Sequence, residues 1–136
     1  MSLERFVKAQ DGVYPRALAE LKAGRKQSHW MWFIFPQIAG LGHSTMAQMY
    51  AIASLDEARA HLSHPLLGAR LRECCQAVMT VEGKTAHEIF GSPDDVKFRS
   101  CLTLFAQAAP NETLFTDLLD KYFDGEADEL TLQKLR

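Results

Sequence analysis

A chain of 136 residues, 47% hydrophobic and 24% charged, is long enough to bury one core without disulfides or metals. Its formal net charge of −2, from 15 basic and 17 acidic side chains, leaves no basic face for a polyanion, and the densest cationic cluster is only Gly24–Lys26. Broad nucleic-acid binding is excluded on that ground, and the lack of any long apolar run excludes a membrane partner.

Residues 1–136 are therefore expected to form a single domain. A cytoplasmic location is expected as well. The opening "MSLERFVKAQDG" lacks the apolar run of a secretory signal, and Cys74, Cys75 and Cys101 are odd in number with no Cys-x-x-Cys spacing.

Leu3, Phe6, Val7 and Gln10 share one helical face and predict a short first helix. Asp11 is placed to cap a second, in which Ala17, Leu18 and Leu21 recur at helical spacing until Gly24 ends it. Pro15 is tolerated there only in the first turn. Ser28 is placed to cap a brief aromatic helix, His29 to Phe35, which Pro36 ends. By residue type "WMWFIF" also suits a buried strand. Ser44 to Tyr50 predicts a compact helix. Ser54–Glu57 and Thr85–Glu88 read as capping boxes, in which hydroxyl and carboxylate each satisfy an unpaired N–H.

His64–Pro65 starts a longer helix through Leu67, Leu71, Cys74, Cys75 and Val78. Ser92 and Pro93 open "SPDDVKFRSCLTLFAQAA", with Asp94 and Asp95 in its positive first turn. Asn111 opens a helix carrying Leu114, Phe115, Leu118, Leu119 and Tyr122, for which Gly125 is the stop. A last one runs from Asp128 to Leu135. No alternating run is long enough to seed a sheet. The prediction is an all-α, single compact domain of about eight helices, several of them short.

Two stretches concentrate chemistry. "SHWMWFIFPQIAGLGHS", Ser28 to Ser44, holds both tryptophans, bracketed by polar groups. Lys26, Ser28, His29, Trp30, Gln37, Ser44 and Tyr50 are candidate ligand-binding residues. An indole such as Trp30 stacks on a flat heterocycle, Lys26 or His29 neutralises an anion, and Gln37 reads polar edges. The second stretch, "SPDDVKFRSCLT", sets Asp94, Lys97 and Cys101 on one helical face, with Ser100 three residues beyond Lys97. Lys97 and Ser100 are candidates for holding a phosphate or hydroxyl, and Asp95 and Lys97 are the candidate catalytic pair. His61 and His64 are three apart but lack a third ligand, so no metal site and no cofactor are expected.

The blocks "KQSHWMWFIFPQ" and "GSPDDVKFRS", together with "LGARL" and "TLQKL", resemble a domain-of-unknown-function (DUF) family whose members often carry the label calpastatin. The resemblance covers nearly the whole chain and implies one mainly helical cytosolic domain. More remotely, the aromatic/polar block, Glu57–Arg59 with Gly68, and Lys97–Phe98 are similar to NADAR-type domains. That similarity implies chemistry on NAD or ADP-ribose and cleavage of N-glycosidic bonds. NADAR-type domains carry a glutamate in the aromatic block, where "SHWMWFIFPQ" has no acid. The carboxylate role would then fall to Asp94, Asp95 or Glu57.

The functional expectation is a pocket for a small phosphorylated or ribosylated ligand, with N-glycoside hydrolysis of ADP-ribose-like or nucleotide-like substrates as its reaction. The competing expectation is a non-enzymatic scaffold or protein-interaction domain whose aromatic block is purely core.

Overall fold

Local signals place most helices of the computed structural model, which describes residues 2–136. Ten helices stand among the described residues, in the order α1 (Glu4–Gln10), α2 (Tyr14–Lys22), α3 (Met31–Ile34), α4 (Thr45–Met49), α5 (Leu55–Ser63), α6 (Pro65–Met79), α7 (Ala86–Phe90), α8 (Asp94–Ala108), α9 (Leu114–Phe123) and α10 (Glu129–Leu135). That is more than the expected eight. Pieces as short as α3, α4 and α7 persist because tertiary packing, not propensity, holds them. The described residues contain no strand. A lone parallel bridge, Ile38 with Ile52, closes the base of the segment that carries α4.

Several caps follow the expected chemistry. Thr85 and Glu88 form a complete capping box on α7, and His64 Nδ1 accepts from the Leu66 and Leu67 N–H groups to cap α6. Ser54 completes only half of its box. Its hydroxyl accepts from Glu57 N–H, but the Glu57 carboxylate turns to Ala53 N–H and the Arg5 guanidinium.

Three starts move. Asp11 ends α1 instead of capping α2, because Gly12 at φ +74° turns the chain and Val13 takes the cap position. The aromatic helix begins at Met31 instead of His29, since the Ser28 hydroxyl is drawn away to Glu20. α9 begins at Leu114 instead of Asn111, after a turn in which Glu112 makes a bidentate pair with Arg72 of α6.

α8 is the axis of the molecule. Every residue from Ser100 to Phe105 is buried, so this helix meets neighbours on all faces: α5, α7, α9 and α10 pack around it. The aromatic block joins this core through Phe35, whose ring meets Phe98 edge-on at 4.9 Å, while Phe90 stacks on Phe98 at 4.5 Å. On the other side Gln10 is buried and donates to Phe33 O at 2.9 Å, tying α1 to α3. These contacts fix α3 beside the amino-terminal half of α8. Among the described residues, no helix is long and apolar enough to cross a membrane.

Candidate functional site

A cavity of about 480 Å³ opens where α3, the 37–51 segment, the start of α8 and the start of α10 converge. That volume suits a small organic ligand. Met31, Trp32 and Phe35 form its apolar floor, and Gln37 to Ser44 with Ala47, Gln48, Tyr50 and Ala51 form one wall. Pro93, Val96, Lys97 and Ser100 form a second wall, and Asp128 and Leu130 close the far end. Val96 and Leu130 are also among the most exposed large apolar side chains, at 55% and 58%, so the cavity has an apolar lip.

The structure brings Gln37, Ser44, Tyr50, Lys97 and Ser100 into this one lining, and places Lys26, Ser28, His29 and Trp30 outside it. Trp30 is the main correction. Its ring is wholly buried, and its indole N–H donates to Glu20 Oε1 at 2.9 Å. The indole on the cavity wall is Trp32 instead. Helical spacing places Met31, Ile34 and Phe35 toward the core and turns residue 32 away from them.

Ser28 and Lys26 have structural duties. Glu20 receives four hydrogen bonds, from Gln27 N–H, Ser28 N–H, the Ser28 hydroxyl and Trp30 Nε1–H. Burial alone would raise the Glu20 carboxyl, but these donors outweigh it and hold its pKa at about 2. Lys26 is buried to 8% side-chain exposure, donates to Ser28 O at 2.7 Å, and lies 2.9 Å from Asp94. His29 is exposed. Glu20→Ala should therefore cost about 3 kcal/mol, because it strands the buried Trp30 N–H and the loop amides. Thermal or urea melting reads this directly, and an unchanged midpoint would make the cluster dispensable.

Electrostatically the cavity has two ends. Asp94 is shared: Lys26 approaches one oxygen at 2.9 Å and Lys97 the other at 3.5 Å. Two ammonium groups on one carboxylate leave a surplus positive charge on the cavity side, where Lys97 also stands 5.3 Å from the Trp32 ring. At the opposite end is Asp128, the one carboxylate lining the cavity among the described residues.

Asp95, the carboxylate of the candidate catalytic pair, is absent from the lining. One of its oxygens faces His87 Nδ1 at 3.4 Å and the other accepts from Val96 N–H, because its position on α8 turns it away from α3. Cys101 is fully buried, and burial pushes its thiol pKa up. Among the described residues no three His, Cys, Asp or Glu side chains converge as a metal-ligand set.

Trp32 and Asp128 were therefore missed from sequence. The helical period within "MWFIF" carries the signal for Trp32. Nothing local marks Asp128, which reaches the cavity only because α10 folds back on α8.

The sequence matches the family described as protein of unknown function (DUF1810) over residues 1–135. A crystal structure of the conserved hypothetical protein Rv1873 from Mycobacterium tuberculosis is similar at 52% identity, over 98% of this chain and 95% of that one, with a TM-score of 0.97. No functionally curated protein matches.

Proposed function

This chain belongs to the DUF1810 family, and from its cavity we propose that it binds a small ring-bearing anion, a phosphorylated or ribosylated molecule. The observation that carries the reading is the Lys97 ammonium beside the Trp32 indole on the cavity wall, with Asp94 already divided between two lysines. An incoming phosphate relieves the surplus positive charge, and the indole stacks on the attached ring. Ser100, one turn along α8 from Lys97, lines the wall and holds Asp128 with its hydroxyl, and Gln37 and Tyr50 supply polar edges from the facing wall.

Hydrolysis of an N-glycosidic bond is the turnover version of this reading, and what supports it is a carboxylate in the cavity. Asp128 takes the part first expected of Asp95, stabilising positive charge on the sugar or activating water. The scaffold alternative fits Trp30 and Phe35, which are core, but gives no reason for the half-buried Trp32 and Lys97 to line a cavity together.

Thermal shift with ADP-ribose, NAD and ribosylated pyrimidines tests the binding. A ligand at 100 times its dissociation constant should add about 2.7 kcal/mol of stability. Lys97→Ala should abolish the shift while leaving the unliganded midpoint within about 1 kcal/mol of wild type, since the side chain makes a partly exposed i,i+3 pair with Asp94 and one contact with the Trp32 ring. No shift with any of these compounds at millimolar concentration removes the proposal. Release of free base from NAD or a nucleoside, lost in Asp128→Asn, separates turnover from binding.

A further inference from the structure

Resting on the binding reading above, we propose that Asp128 makes this cavity a ribose site: its carboxylate accepts from the vicinal hydroxyls of a furanose whose phosphate lies against Lys97. Asp128 is held like a positioned acceptor. Three donors converge on Oδ2: the Ser100 hydroxyl at 3.1 Å, Thr131 N–H at 3.0 Å and the Thr131 hydroxyl at 2.6 Å. Its own N–H donates to Thr103 Oγ1 at 2.8 Å. Thr103 and Thr131 are fully buried, so the carboxylate is oriented from behind by groups that cannot turn to solvent. Among the described residues Oδ1 receives no hydrogen bond, although the residue lines the cavity.

An ionised carboxylate only accepts, so it calls for ligand donors, and it repels a phosphate toward the other end. That other end is Lys97. Ser100, which touches Asp128, lies three residues after Lys97 on α8, so one face of that helix joins the two charged ends of the cavity. A sugar bearing a 5-phosphate presents its anion at one end and its ring hydroxyls at the other. A carboxylate taking the hydroxyls of a ribose is a recurrent solution for this chemistry. A simple phosphate or a bare nucleobase would leave Oδ1 unused.

The test compares the four ribonucleoside 5′-monophosphates with their 2′-deoxy counterparts by calorimetric titration of the intact chain. The ribo form of whichever base binds should be tighter by about tenfold to a hundredfold, the worth of one hydrogen bond to a charged acceptor. Asp128→Asn, whose amide oxygen can still cap α10, should weaken the ribonucleotide by more than the deoxynucleotide, which has only its 3′-hydroxyl to lose. The wild-type comparison stands even if that variant folds poorly. Equal affinity for both series overturns the proposal and leaves the anion pocket in place. A ribo preference that survives in Asp128→Asn overturns the assignment to this residue. Absence of binding by every monophosphate overturns it too, and the underlying reading falls only if ADP-ribose and NAD also give no thermal shift.

Discussion

Gly68→Ala should lower stability by about 4 kcal/mol or more, a large part of the roughly 5–15 kcal/mol that holds a domain of this size together. Gly68 sits in the first turn of α6, where the helix passes directly over the end of α5. A Cβ at this position would lie 2.1 Å from the Leu62 carbonyl oxygen and 2.8 Å from its carbon. Neither atom belongs to a side chain that could swing aside. The Leu62 carbonyl also accepts from Arg72 at 3.1 Å, and Arg72 in turn holds Glu112 before α9.

Making room would mean opening the α5–α6 turn, where His64 Nδ1 caps α6 and Gly68 N–H donates to His64 O at 2.9 Å. The intrinsic helix preference of alanine, worth about 1 kcal/mol over glycine, has the opposite sign and is far too small to compensate. Urea denaturation measures the difference. A variant within about 1 kcal/mol of wild type would mean that the two helices separate freely here, against the contact geometry.

Acidification from pH 7 to 4.5 should remove about 2.5 kcal/mol of stability through His61 alone. His61 is wholly buried between α1 and α8. Its ring meets Phe6 edge-on at 5.0 Å and Phe105 at 5.5 Å, and neither nitrogen has a hydrogen-bond partner. Burial, followed by the nearby charges of His64 and Arg5, depresses its pKa from 6.5 to about 3. Below pH 6.5 the unfolded chain binds a proton that the folded chain refuses. Stability is therefore complete above that pH and falls progressively as pH drops toward 3.

Glu20 acts in the same direction but in a lower window. Its carboxyl is held at about 2 against 4.5, so its contribution is lost only below pH 4.5. Confining the measurement to pH 7–4.5 isolates the histidine. His61→Leu should flatten the slope in that range and raise neutral-pH stability by about 1–3 kcal/mol, since a buried N–H without a partner is costly. A slope unchanged in the variant would place the acid sensitivity elsewhere.

Part of the cavity lining was legible in the sequence. Lys97 and Ser100 follow from α8 periodicity, since residues three apart share a face, and Gln37, Ser44 and Tyr50 follow from the polar frame around the aromatic block. The exchange of Trp30 for Trp32 has a definite cause. Trp30 precedes the helix and is claimed by Glu20, ten residues upstream on another helix. A carboxylate that distant does not enter a reading of local pattern. Asp95 and Asp94 are equivalent by composition, both acids in one first turn. Only the position of Lys26 on the neighbouring loop distinguishes the one held between two lysines from the one that turns to His87.

By itself the sequence determined the all-α class, most helix positions, and the completed caps at Thr85 and His64. These depend on spacing of 3.6 residues and on hydrogen bonds that close within a few residues, so neighbouring letters carry them. The tertiary structure alone decided which indole faces the cavity, that Lys26 and Lys97 share one carboxylate, and that Asp128 of the last helix completes the wall. Those contacts join residues 10 to about 70 positions apart, and their geometry is set by how whole helices pack around α8. No local periodicity encodes it.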